Sequence, residues 1–444
     1  MGIYERTQSP GNGPADHLPG TVKLLHRRNG GQVAQVTLLP RPTEDPNDPL
    51  NWSMWRKGFN FALLASMTLA IFTGIQSLFL GRMRNEMHIT SSQFLIAKAI
   101  LASGEAITCA IFMPFAKKYG RRLLYIVSTA VFTAAVWWSA YMETALELYL
   151  TDLLKGLAGA INETAVQMSI YDMFFVHQRG SANSIYFTAL KLGYTLTPMA
   201  AGAQAQAYGW RSCYRTLGIV MAVLTILFAF GYEETKFVRP AGYEGDSVES
   251  LESGTMDKKT ASERPAVQAT FPHYLRLQLL TPTSESLWKA FYQPFFTVAI
   301  PQVLFTSLVY GFSLCVISIT ASMKAIILTA PPYNFNPQEL GLMYIGPFIG
   351  TVFGALYGGI LVDRGVVWLA RRNRDIFEPE MRLYFLPISA LAMAAGTIMF
   401  GVTADRGLHW AYPATGTGLA SFGFGGIANI VFTLMIDSYP KKRY

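Results

Sequence analysis

Apolar residues along this chain fall into ten long runs separated by short polar segments. The runs lie at roughly 58–80, 93–115, 123–141, 146–171, 182–206, 214–232, 292–322, 338–362, 383–403 and 410–436. A helix needs about 20 mostly apolar residues to cross a bilayer core. The pattern therefore predicts ten membrane-spanning helices and an all-α integral membrane protein. A 57-residue polar tail precedes the first run and has no apolar core before a cleavage site. It reads as a disordered tail, residues 1–57, and not as a signal peptide. The one long link, 233–290, contains GYEGDSVESLESGTMDKKTASERP, which mixes Glu, Ser, Asp and Lys without period. It predicts a largely disordered joint. The joint divides the chain into a six-helix bundle at 58–232 and an incomplete, four-helix bundle at 291–444.

The links fall into two sets by charge. The tail, the C-terminal end and the links after runs 2, 4, 6 and 8 together hold 27 Lys and Arg residues. The opposite side has six: Arg82, Arg84, Arg211, Arg215, Lys324 and Arg406. Basic links stay cytoplasmic, so both termini are expected there. Composition agrees with a membrane protein. Hydrophobic residues make up 51% and charged residues 14%, whereas soluble chains are about a quarter charged. The net charge of +8 follows from topology and implies no nucleic-acid partner. Cys109, Cys213 and Cys315 are each isolated in the sequence, so no disulfide framework is expected. All six histidines lie in the tail or links, which predicts no metal site and no cofactor. With no P-loop and no nucleophile elbow, an enzyme is not expected.

Charge inside the runs is concentrated. Runs 3, 6 and 9 have no ionisable residue in their cores. Run 2 carries Lys98 and Glu105, run 4 carries Asp152, Lys155 and Glu163, and run 5 carries Lys191. A charge at the bilayer centre costs at least about 2.5 kcal/mol on insertion scales, so it faces a cavity or a partner. At the helical period, Asp152, Lys155, Gly159 and Glu163 share one face, as do Lys98 and Glu105. Runs 2, 4 and 5 are thus expected to line a wet interior. Glu105, Glu163 and Lys191 fall near mid-span and predict one cluster, with Asp152, Lys155 and Lys98 nearer the outer end. Two readings stand side by side: a permanent ion pair tying three helices together, or a proton-titrating Glu163 or Glu105 that exchanges Lys191 as its partner.

Small residues mark other runs. Run 8 has Gly346, Gly350, Gly354 and Gly358 at a spacing of four, a stripe suited to close packing. Run 10 has Gly416, Gly418, Gly423, Gly425 and Gly426. Run 5 has Gly193, Thr197, Pro198 and Gly202, read as a hinge because proline frees a backbone carbonyl.

The segment Lys117-Lys118-Tyr119-Gly120-Arg121-Arg122 resembles the short cytoplasmic loop motif of the major facilitator superfamily. Gly358-Gly359-x-x-x-Asp363-Arg364 resembles its second-half copy. The stretches DPNDPLNWS, YDMFFVHQRG, YGWR, PPYNF, ARRNRDIFEPEMRL and IDSYP are similar to a fungal branch of drug:proton antiporter type. The resemblance implies two six-helix bundles around a central cavity and alternating access. It implies export of a small organic molecule coupled to protons, by a monomer in the plasma membrane or in a vacuolar or vesicle membrane. The loop motif at Lys117, Gly120, Arg121, Arg122, Gly359, Asp363 and Arg364 is then expected to act as a latch. This sequence departs from the pattern in places. Lys117 stands where the motif has Asp, and Asp152 stands where run 4 usually has Arg. Thr197-Pro198-Met199-Ala200-Ala201-Gly202 replaces Gly-Pro-x-x-Gly-Gly. The family has twelve helices, so the chain reads as truncated after the tenth, with the small faces of runs 8 and 10 expected to be exposed. Two alternatives accompany the exporter: an importer of small nutrients or polyamines, and a truncated, non-transporting membrane protein or sensor.

Overall fold

The computed structural model describes residues 43, 45–237, 277–283, 286–372 and 379–438. Most of the tail and of the joint at 233–290 lies outside these residues. Among the described residues the chain is helical, with no strand. Helix α1 (Met54–Ile71) leads through a 3₁₀ segment, Ile75–Phe79, into α2 (Leu80–Met87). Then come α3 (Ser91–Tyr119), α4 (Arg122–Ser139), α5 (Ala145–Met173), α6 (Val176–Tyr208) and α7 (Trp210–Phe230). A short α8 (Leu287–Thr297) precedes α9 (Pro301–Leu328). One further span consists of α10 (Pro337–Leu342), α11 (Ile345–Leu356), a π-helical turn (Tyr357–Leu361) and α12 (Val362–Arg372). The described chain ends with α13 (Leu386–Asp405) and α14 (Ala411–Ser438).

Helical spans thus form over all ten apolar runs. Eight are long and apolar enough to cross a membrane. The other two, α5 and α6, have 29 and 33 residues, about 43 and 50 Å at 1.5 Å per residue. Length does not exclude them; the polar and charged residues they carry lower their hydropathy.

Local signals set the ends. Thr90 and Thr144 cap α3 and α5 in reciprocal boxes with Gln93 and Glu147. Gly120, at φ +105°, ends α3 where an L side chain would be strained. The polar lead-in is ordered close to α1. Asp48 accepts hydrogen bonds from the Leu50 and Thr43 amides, both at 3.0 Å, and Lys57 donates to the Leu50 carbonyl at 3.0 Å.

Packing follows the small residues. α3 lies on α5, with Gly104 so close to Leu153 that a Cβ would sit 3.1 Å from its carbonyl oxygen. α4 packs on α5 and α7, and α1 on α6 and α7. Phe79, Trp210 and Tyr214 meet edge-on or tilted in one core, and Tyr125, Phe228 and Tyr232 in another. The glycine stripe of run 8 is covered, contrary to the expectation of exposed small faces. Gly346, Gly350, Gly354 and Gly358 all approach α14, whose Gly416 and Gly423 approach α13. The small faces of runs 8 and 10 cover each other because both are smooth enough for backbone contact.

Candidate functional site

The buried polar groups of the first six spans form a connected chain of contacts. Asp152 of α5 is fully buried and pairs with Lys155, one turn along, at 2.6 Å. Gln76, in the 3₁₀ segment after α1, donates to the other Asp152 oxygen at 2.8 Å. Lys98 of α3 donates to the Gln76 carbonyl oxygen at 2.7 Å. One carboxylate is therefore linked to two ammonium groups, one directly and one through an amide. Three chain segments meet there. The Lys155 ammonium also lies 5.6 Å from the Tyr214 ring of α7. Removing water from this set demands that the pairing persist, because an orphaned buried charge is strongly destabilising.

The expected mid-span cluster is placed only in part. Glu105 is half-buried on α3, and its carboxylate points toward Gly159 of α5. Glu163 lies in α5 one turn beyond Gly159, and its side chain lies outside the described residues. Lys191 is half-buried on α6, and its backbone carbonyl accepts a hydrogen bond from Thr195. Among the described side chains no carboxylate pairs with Lys191.

The four hinge positions fall on an unbroken α6 that runs through Pro198. Gly193 packs on α1, where a Cβ would lie 2.6 Å from the Leu69 carbonyl oxygen. Gly202 packs on α10 in the same way, 2.5 Å from the Pro337 oxygen. The Pro198 carbonyl faces Gly341, and Thr197 is half-buried. This end of α6 therefore bears directly on the span that begins with α10. Nearby, the Ser77 and Tyr344 hydroxyls are hydrogen-bonded at 2.9 Å.

The first loop motif is a tight turn enclosed by residues far away in the sequence. The Glu234 carboxylate, fully buried, accepts the backbone N–H of Arg121 at 2.9 Å and of Arg122 at 3.1 Å. Arg121 pairs with Asp172 at the end of α5. Arg122 donates to the Ala229 carbonyl at 2.6 Å and to the Leu277 carbonyl. The Thr281 amide donates to the Tyr119 carbonyl at 2.8 Å, and the Thr283 amide to that of Lys118 at 3.0 Å. Lys117 contributes its carbonyl, 3.5 Å from the Thr283 hydroxyl. In the second copy Asp363 accepts from Arg382 at 2.6 Å. Arg364 is exposed, and nothing lies within 4 Å of the Cβ that Gly359 lacks.

Sequence reading missed several of these residues. Gln76 carries no charge and sits at the end of an apolar run. Glu234 and Arg382 lie in links, where charge is ordinary. Asp172 ends a helix and reads as a solvated terminus. Lys324 reads in the sequence as a link residue, but it lies inside α9 and is 3% exposed.

Long apolar helices enclosing paired charges define a multi-pass membrane protein. The chain belongs to the Major Facilitator Superfamily, whose family model matches residues 62–444. An uncharacterized MFS-type transporter of Schizosaccharomyces pombe is 27% identical over 97% of this chain and 83% of its own length. Protein HOL1 of Saccharomyces cerevisiae is 27% identical over 96% of this chain and 85% of its own. MFS transporter cpaT of Aspergillus oryzae is 25% identical over 89% and 78%. The protein is a transporter and not an enzyme.

Proposed function

We propose that this chain is a proton-coupled exporter of a small organic molecule, working by alternating access. Its moving parts would be the six-helix bundle at 58–232 and the four helices at 291–444, joined by the cytoplasmic link 233–290. The protein would act as a monomer in the plasma membrane with both termini in the cytoplasm.

The observation that carries this reading is the buried Lys98–Gln76–Asp152–Lys155 network. It puts a single carboxylate between two cations, where protonation changes which groups can stay paired. Glu105, on the same face of α3 as Lys98, and Glu163, on the same face of α5 as Asp152, supply further carboxylates for the proton path. The hinge positions Gly193, Thr197, Pro198 and Gly202 lie where α6 bears on α1 and α10, so rocking of one bundle on the other would be felt there. Lysines within the helices at 98, 155, 191 and 324, two of them buried and two half-buried, disfavour a polyamine-like cation as the cargo.

Two experiments test the reading. Cells expressing the chain should survive a toxic substrate better than empty-vector cells, whereas an importer would sensitise them. In proteoliposomes with an imposed pH gradient, Asp152→Asn should abolish pH-driven flux of that substrate. Full pH-driven flux in both Asp152→Asn and Glu163→Gln would remove these carboxylates from the mechanism.

A further inference from the structure

Lys324 lies near the end of α9 and is 3% exposed. Its ammonium sits 3.2 Å from the centroid of the Tyr344 ring. It makes no ion pair with any described carboxylate, and no hydrogen bond of its ammonium is found among the described residues. A ring face offsets part of the charge, worth about 0.5–2 kcal/mol, and leaves its donors unused. A buried ammonium has three N–H groups to place.

These donors border a cavity. Lys324 shares it with Tyr194 of α6, Thr320 of α9, Tyr344 ahead of α11, and Thr417 and Ser421 of α14. The cavity is about 30 Å³, room for roughly two waters at the ~10–15 Å³ each requires. The Thr320 and Thr417 hydroxyls already donate to the carbonyls of Val316 and Ala414, at 2.7 and 2.9 Å. The Tyr344 hydroxyl is engaged by Ser77. Tyr194 and Ser421 make no hydrogen bond through their hydroxyls among the described residues, so both can donate inward. Tyr194 and Tyr344 stand edge-to-face, with centroids 6.4 Å apart. The cavity thus offers a cation and two hydroxyl donors, flanked by aromatic rings, and no negative charge.

We propose that this cavity binds the carboxylate group of an organic anion, with Lys324 as its counter-charge. The proposal rests on the transport reading for its substrate class, since it assigns an acid-bearing cargo to that function. An ammonium and two hydroxyls on the residues that line one cavity suit a carboxylate, and the flanking rings suit an attached apolar body. At about 30 Å³ the cavity takes only the head group, and the rest of a larger molecule would lie outside it.

The test is thermal unfolding of the purified full chain with sodium acetate, sodium benzoate, benzylamine hydrochloride or sodium chloride at matched ionic strength. Acetate and benzoate should raise the melting temperature by about 2–4 °C at concentrations well above Kd, with no shift from benzylamine or chloride. Lys324→Met should lose the shift, and Lys324→Arg should retain part of it. Unliganded Lys324→Met should melt no lower than the wild type, because it removes a buried charge without a counter-ion; a large drop would mean that Lys324 is a structural residue. An equal benzoate shift in Lys324→Met, an equal shift with chloride, or no shift with either carboxylate would overturn the proposal. Binding is read without flux. A carboxylate shift in a chain with no pH-driven transport would leave this site standing and remove the proton-coupled reading, and pH-driven flux without the shift would do the reverse.

Discussion

The Glu234 carboxylate caps the turn that starts α4, accepting the Arg121 and Arg122 amides from more than a hundred residues away. The first four amides of a helix lack partners within it, and a carboxylate there satisfies two donors and meets the positive end of the helix dipole. The same segment is fastened on its other side, where Asn60 accepts the Glu233 amide at 2.8 Å and Arg56 pairs with the Glu233 carboxylate. The stretch after α7 is therefore a clasp between α1 and α4. Replacing Glu234 by alanine should lower stability by about 1–3 kcal/mol, the cost of leaving buried donors unmet. Glu234→Gln, which keeps one acceptor, should lose less. An alanine variant that melts with the wild type in detergent would contradict the capping role.

The two copies of the loop motif should respond differently to the same substitution. A Cβ at Gly120 would strain a backbone at φ +105° and press on the Thr281 hydroxyl at 2.8 Å. Gly359 is helical and faces open space. Gly120→Ala should destabilise by about 1–3 kcal/mol, whereas Gly359→Ala should be neutral or gain up to about 1 kcal/mol from helix propensity. Equal effects in parallel melts would show that the crowding at Gly120 is not decisive.

The Asp152–Lys155 pair should behave as a coupled unit. Lys155→Met leaves a buried carboxylate with less compensation and should cost about 3–5 kcal/mol. Asp152→Asn combined with Lys155→Met should recover much of that loss. A double-mutant cycle on thermal or denaturant unfolding measures the coupling, and strict additivity would mean the two groups do not depend on each other.

The Ser77–Tyr344 hydrogen bond joins the segment after α1 to the start of α11. Tyr344→Phe deletes one partner of a buried bond worth about 1 kcal/mol. If this contact closes that end of the protein, a cysteine placed at Ser421 should be alkylated about five-fold faster in Tyr344→Phe than in the parent, since 1 kcal/mol is close to a five-fold change in population. An unchanged labelling rate would mean that the contact does not gate access to the cavity.

Other positions needed their neighbours to be understood. The sequence placed Asp152, Lys155 and Lys98 on inward faces; the structure pairs Asp152 with Lys155 directly and links it to Lys98 through Gln76, an uncharged residue that no pattern singles out. Glu105, Glu163 and Lys191 share a predicted depth, which is one coordinate of three; helix rotation sets whether side chains meet, and the Glu163 side chain lies outside the described residues. Lys324 illustrates the same limit from the other side. Its charge just beyond an apolar run made it look like a link residue, whereas α9 continues past it to Leu328.

The sequence alone determined the ten helical runs, the sided distribution of Lys and Arg, the turn at Gly120 and the small-residue stripes, because each depends on residues within a few turns. Tertiary structure decided which stripe meets which, that Glu234 reaches Arg121 and Arg122, that Gln76 bridges Asp152 to Lys98, and that Lys324 borders a cavity without a counter-ion among the described residues. Those outcomes depend on the mutual rotation and spacing of whole helices, set by the packing of many side chains distant in the sequence.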